Sequence, residues 1–333
     1  VSFRSPQIDA FGLDPRATLD ALLAYPFQVI RLGAYWNRLE PAEGAFEPRE
    51  LDWQIDTAES AGRQIILAVG AVKTFGYPEV FVPAHRLERP LPEHALITPI
   101  THPELLDAAC DVVTRVVDRY RGRTSIVAWQ VEHEAVDPLG IEHSWRLARD
   151  FVAREVAAVR LADPTRPILL NGFLPASLLG QLAQGWQTRD QGDSLSVARS
   201  LADVVGVDYY PRYALATIGP LTVYLDGSKS PWANRRLRQL LQPFSTNRLR
   251  LMVTEGQAEP WETITIPPSP ARRGMASCLP EHLIRNYNDA MRWSREIAPL
   301  DAYLFWGAEY WLLRERGGDS SYVRAFARVL EHS

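Results

Sequence analysis

The chain has 333 residues, 46% hydrophobic, 10% aromatic and 23% charged, a globular balance that supplies a large core and excludes long disordered stretches. With 36 Lys and Arg against 40 Asp and Glu the net charge is −4. No electropositive surface is implied, so nucleic acid and membrane are excluded as expected partners.

Cys110 and Cys278 are too few for a disulfide framework and lack the spacing of a zinc site. No apolar run approaches the length of a bilayer span, and "VSFRSPQIDAFG" lacks the charged-then-apolar layout of a signal peptide. The chain begins at Val, which is compatible with a removed leader. The expectation is therefore a soluble protein, with cytoplasm and secretion both open and the oligomeric state undetermined.

In chain order, "SFRSPQIDA" is a weak first strand and "FQVIRLG" a strong second, ending near Arg31. "RELDWQIDTAESAG" carries helical period, and "RQIILAVG" is the third strand, with Lys73 just beyond it. Residues 84–103, rich in Pro and His, read as a long loop. "PELLDAACDVVTRVVDRYRG" is an amphipathic helix with Cys110 on its apolar face. The fourth strand, "SIVAWQVEHE", runs into Glu132, His133 and Glu134. A helix in "HSWRLARDFVAREVAAVRLAD", a fifth strand "RPILLNG" and a sixth "DVVGVDYY" follow, and residues 211–230 read as a second long loop. The seventh strand, "LRLMVTEG", presents Glu255, with Glu259 and Trp261 beyond it. "ETITIPPSPARRGMASCLP" is too proline-rich for a helix, so it reads as a third loop. The helix "PEHLIRNYNDAMRWSREI" and the eighth strand "DAYLFWG" lead to Trp306 and Trp311.

The strands alternate little between apolar and polar residues, as in a parallel sheet covered by helices. A doubly wound open sheet gives the same pattern. Two features favour a barrel: the runs end in Arg, Glu, Tyr or Trp, and no Gly-rich phosphate fingerprint follows the first strands. The expected fold is α/β, a single (β/α)8 TIM barrel over residues 1–333 with long βα loops after strands three, six and seven.

Strand alternation through "WQVEHE" would send Gln130, Glu132 and Glu134 to one side, with Glu134 nearest the rim. Glu134 and Glu255, carried by different strands to one rim, form the carboxyl pair that retaining glycoside hydrolysis needs. Glu132 lies deeper and reads as a buried, hydrogen-bonded residue. Glu259 reads as shaping the loop or touching sugar outside the reacting subsite. Neighbouring strand residues point to opposite faces, so Glu132, His133 and Glu134 do not close on one ion. No catalytic metal and no cofactor are expected.

"VIRLGAYWNRLEPAEGAFEPRELDWQIDTAESAG", "IVAWQVEHEA", "VTEGQAEPW" and "YLFWGAEYW" resemble the large clan of retaining (β/α)8 glycoside hydrolases that contains the family 5 cellulases and mannanases and the family 42 β-galactosidases. The resemblance implies that Glu134 is the acid/base and Glu255 the nucleophile of a β-glycosidase. It also implies that Arg31 keeps the nucleophile ionised, that Tyr210 touches it, and that Trp306 lies under the reacting sugar. His133 stands where the clan usually has the Asn that binds the sugar 2-hydroxyl. Trp36 and Trp261, just past strand ends, are candidate stacking surfaces for pyranose rings, and Trp311 is a weaker one. The implied partner is a carbohydrate substrate of unspecified sugar and linkage. The departure at His133 leaves two alternatives open: a carbohydrate-binding barrel with little or no hydrolysis, and a transglycosylase.

Overall fold

Each of the seven strong apolar runs forms a strand of a computed structural model that describes residues 1–137, 144–174, 178–188, 190–218, 221–227, 230–246, 249–260 and 277–331. The strands Val29–Gly33, Gln64–Ala68, Ile126–Gln130, Ile168–Phe173, Val204–Tyr209, Arg250–Gln257 and Tyr303–Trp306 lie side by side in that order in one sheet. Register such as Val29 opposite Gln64, Leu67 opposite Trp129 and Gln257 opposite Trp306 is parallel. Helices connect sequential strands, so the chain has the (β/α) barrel fold expected of it.

The weak first strand is a correction. Ser2 makes only an isolated bridge, its N–H donating to Phe305 O at 3.1 Å, and Ser5–Ala10 is a short helix. Pro6 sits in its first turn, where a missing N–H is tolerated.

The chain packs as two compact units, one of Gln28–Gly172 and Gly185–Val205, the other of Val1–Phe27, Phe173–Gln184 and Gly206–Ser333. In the first, the helix Pro103–Tyr120 buries Leu105, Leu106, Val112, Val113, Val116 and Val117 along one face. Each such side chain contributes about 1.5–3 kcal/mol relative to exposure. Arg119 grips Asp52 through two hydrogen bonds of 2.8 and 2.6 Å, while Arg123 reaches Asp56 and Glu59, tying the helix to Arg49–Ser60 and Ser125 to Glu59. In the second unit, Phe326 on the helix Ser321–Leu330 is buried against the rings of Tyr25, Phe305 and Trp311.

Three loop readings meet different outcomes. Residues 211–230 hold an antiparallel pair, Arg212–Ile218 with Leu221–Asp226, and not a simple loop. Residues 84–103 contain a 3-10 turn at Ala84–Arg86 and a two-residue strand, Leu96–Ile97, that pairs with Arg146–Leu147. The third reading falls mostly on 261–276, and with Trp261 lies outside the described residues.

Candidate active site

The strand Ile126–Gln130 stops four residues short of Glu134, so the alternation expected through "WQVEHE" does not operate there. Glu132 has φ 53° and Glu134 φ 43°, both in the left-handed region. Such a conformation costs a non-glycine residue about 1–3 kcal/mol and persists only where its surroundings enforce it. They do so here from residues 70–73. His133 N–H donates to Lys73 O at 2.6 Å, and Lys73 Nζ donates to Glu134 O at 2.9 Å and Asp137 O at 2.8 Å. The Glu132 carboxylate accepts from Val72 N–H at 2.9 Å and from Lys73 N–H. Gly70 is required at this crossing, since a Cβ there would stand 2.0 Å from Glu132 N. Glu132 is thus a buried, hydrogen-bonded residue, and Glu134 is presented by a braced turn. Opposed strand faces do not describe residues 132–134.

Glu134 and His133 are each 4% exposed. Arg31, fully buried, donates from Nη1 to Gln130 Oε1 at 3.3 Å, and its guanidinium lies 4.2 Å from the centre of the Phe75 ring. Gln130 passes the chain of bonds on to Asn171 Oδ1 at 3.1 Å. Trp36 is fully buried, and its Nε1 donates to Glu40 Oε2 at 2.7 Å. Burial raises the Glu40 carboxyl, but hydrogen bonds from Arg86, Trp36 and His85 outweigh it and hold the group below its usual range.

In the other unit, the strand Arg250–Gln257 carries Glu255, 3% exposed. Tyr210, one residue past the end of Val204–Tyr209, donates its hydroxyl to Glu255 Oε2 at 2.8 Å. Thr254, adjacent on the strand, donates to Asp208 Oδ1 at 2.6 Å. Gln257 exchanges hydrogen bonds with the Arg212 backbone at 3.3 and 2.7 Å, which fixes the strand end.

Trp306 ends the strand Tyr303–Trp306 and has the Arg4 guanidinium 4.2 Å from its ring centre. Arg4 is itself fully buried and bound to two carboxylates: Glu309 at 2.6 to 2.8 Å and Glu259 at 2.7 and 3.0 Å. Burial pushes the Glu259 carboxyl up; Arg4 opposes the rise, and Glu309 and Glu255 add to it. Gly307, at φ 126°, allows this approach, because a Cβ there would lie 2.6 Å from Glu259 Cβ. Trp311 is buried with Nε1 on Ala258 O at 2.7 Å.

Tyr210 and Glu255 are therefore in direct contact, and Arg31 is joined to Gln130. Arg4 and Glu309 have no counterpart in the sequence reading. Their signal, an arginine among apolar N-terminal residues and a glutamate in "WGAEYW", is too weak without knowledge of the pairing.

A match to the family model described as beta-galactosidase, glycoside hydrolase family 42, covers residues 20–171. No curated protein sequence matches the chain. Among solved structures, a GH5_18 protein from Streptomyces cattleya in complex with GlcNAc aligns with TM-score 0.61 and 14% identity, over 94% of this chain and 74% of that one. Xylanase 10B from Thermotoga petrophila RKU-1, in complex with xylobiose, gives 0.56 and 12%, over 97% and 91%. The exo-beta-1,4-mannosidase Op5Man5 from Opitutaceae bacterium strain TAV5 gives 0.56 and 13%, over 92% and 51%. The fold is that of these (β/α) barrel glycoside hydrolases, and the family match adds the sequence signature of the same clan over the N-terminal part. Among the described residues no helix is long and apolar enough to cross a membrane.

Proposed function

We propose that this chain, with the fold and partial sequence signature of the clan, is a retaining β-glycoside hydrolase. Glu255 serves as nucleophile and Glu134 as acid/base. The observation that carries the reading is the 2.8 Å hydrogen bond from Tyr210 to Glu255 at the end of a parallel strand. A phenol donor fixes the carboxylate and favours its charged, nucleophilic form. In a parallel barrel the strand C-termini share one rim, and Glu134 follows another strand of the same sheet.

In the first step a Glu255 oxygen bonds to the anomeric carbon, the glycosidic C–O bond breaks, and Glu134 gives its proton to the departing oxygen. Water then attacks the same carbon, Glu134 takes its proton, and the Glu255 ester is released, with net retention. The steps require no cofactor. Arg31, His133, Trp36, Trp261 and Trp306 are assigned to substrate binding or to tuning the site. In this reading His133 supplies an imidazole N–H to the sugar where the clan uses an amide.

The test is intact-protein mass after incubation with 2-deoxy-2-fluoro β-glycosyl fluorides. Galactose heads the panel because the family match is to beta-galactosidase. Label on the native protein, mapped to Glu255 and absent from Glu255→Gln, is the expected result. Full activity in Glu255→Ala would refute the assignment, and products joined to an added sugar acceptor would identify a transglycosylase.

A further inference from the structure

Two buried carboxyl groups take no part in the proposed chemistry. Glu132, 2% exposed, accepts the N–H groups of Val72 and Lys73. Glu155 projects from the helix Arg149–Ala162 and is fully buried; among the described residues its Oε1 accepts only the Ala71 N–H, at 3.4 Å. Glu155 Oε2 meets no N–H or hydroxyl donor among the described residues. An ionised carboxylate is acceptor-only, so a buried oxygen without a donor is strongly unfavourable unless that oxygen carries the proton. Glu155 takes the N–H of Ala71 and Glu132 that of the next residue, Val72, so the two carboxyl groups are held on consecutive residues of one segment.

The surrounding charges place the proton on Glu155. Burial, and then the charge and hydrogen bond of Glu132, push its carboxyl well above the usual range, with Cys110 adding and the Ala71 N–H opposing. Glu132 is raised by burial too, but the Glu155 hydrogen bond, two backbone N–H groups and Lys73 all favour its charged form. Lys73 faces the pair from residues 70–73. Cys110 faces it from the helix Pro103–Tyr120 and is itself subject to Arg154, Asp107 and Asp111.

The same atoms hold the segment that carries Glu134. Lys73 N–H is bound to Glu132, Lys73 O accepts from His133 N–H, and Lys73 Nζ binds the carbonyls of Glu134 and Asp137. These bonds close a ring around two residues with positive φ. We propose that Glu132 and Glu155, sharing one proton, are positioning residues that act through Lys73 to fix the 132–137 turn and aim the Glu134 carboxyl. This rests on the reading of Glu134 as acid/base. A misaimed acid harms departure of a basic oxygen most, because a good leaving group departs without a proton.

The test compares 2,4-dinitrophenyl with phenyl β-glycosides of galactose, glucose, mannose and xylose in wild type, Glu132→Gln, Glu155→Gln and Glu155→Leu. Glu132→Gln and Glu155→Leu are expected to lose about 10–100-fold in kcat/KM on the phenyl glycoside and less than about threefold on the dinitrophenyl one. Glu155→Gln, whose amide N–H can donate to Glu132 as a protonated carboxyl would, is expected within about threefold of wild type on both. Equal losses on the two leaving groups would overturn the positioning role. Independently of turnover, infrared spectra at neutral pH should show a protonated-carboxyl C=O band that Glu155→Gln removes, and absence of that band overturns the shared proton. Failure of the functional reading is distinguishable: Glu134→Gln would then keep full activity on phenyl glycosides.

Discussion

Replacing Arg4 by Met removes four hydrogen bonds and the only described cation on Glu259 and Glu309, while preserving an unbranched apolar chain under Trp306. The backbone N–H of residue 4 remains on Glu309. Glu259 is 4% exposed and Glu309 fully buried, so neither recovers its hydration. Removing one partner of a buried ion pair typically costs about 3–5 kcal/mol, and here one cation serves two carboxylates. The loss should depend on pH with a definite sign. Without Arg4 the Glu259 carboxyl, already raised by burial, rises further above its unfolded value. Stability is then fully present below the unfolded pKa and is lost as pH rises through the folded one. Urea unfolding from about pH 5 to pH 8 should show Arg4→Met closest to wild type at the acid end and weakest at the alkaline end. A variant within about 1 kcal/mol of wild type at every pH would refute the reasoning, because a surface-like ion pair behaves that way.

Tyr210→Phe removes the hydroxyl bound to Glu255 and should lower kcat/KM about 10–100-fold, the loss of one hydrogen bond to a charged group, with little change in melting temperature. Steady-state kinetics on the sugar identified by labelling would check it. Gly307→Ala should destabilise by at least about 1–3 kcal/mol, since both its φ of 126° and the 2.6 Å approach to Glu259 Cβ oppose a side chain; thermal unfolding reads this directly. Burial and the nearby Arg285 and Arg212 push His282 down from 6.5 to about 4. Its contribution to stability is present above the unfolded value and disappears as pH falls through the folded one. Wild type should therefore lose stability between about pH 6.5 and pH 4 more steeply than His282→Gln, and parallel curves would contradict the shift.

The seven strands are legible because a parallel sheet covered on both faces needs only short apolar runs, which "RQIILAVG" and "LRLMVTEG" supply. The end of the fourth run is not legible. Nothing in "VEHEA" signals left-handed backbone at Glu132 and Glu134, which Gly70 and Lys73 impose from some 60 residues away. In "RYALATIGPLTVYLD" the two β-prone runs on either side of G-P are the available sign of the antiparallel pair. Tyr210 could be placed from the resemblance because it follows directly on a strand end. Arg4 could not, because its partners lie 255 and 305 residues along the chain and leave no local pattern.

That separation also governs how the protein can be made. Arg4 leaves the ribosome 305 residues before Glu309 is synthesised. At roughly 5–20 residues per second, this is an interval of about 15–60 s during which Arg4 lacks the Glu309 carboxylate. The unit containing Val1–Phe27 is otherwise built mainly from Gly206–Ser333, so that segment waits for residues made long after it, whereas Gln28–Gly172 can collapse as it emerges. A nascent chain halted before residue 309 should accordingly resist protease over 28–172 and be cut within 1–27.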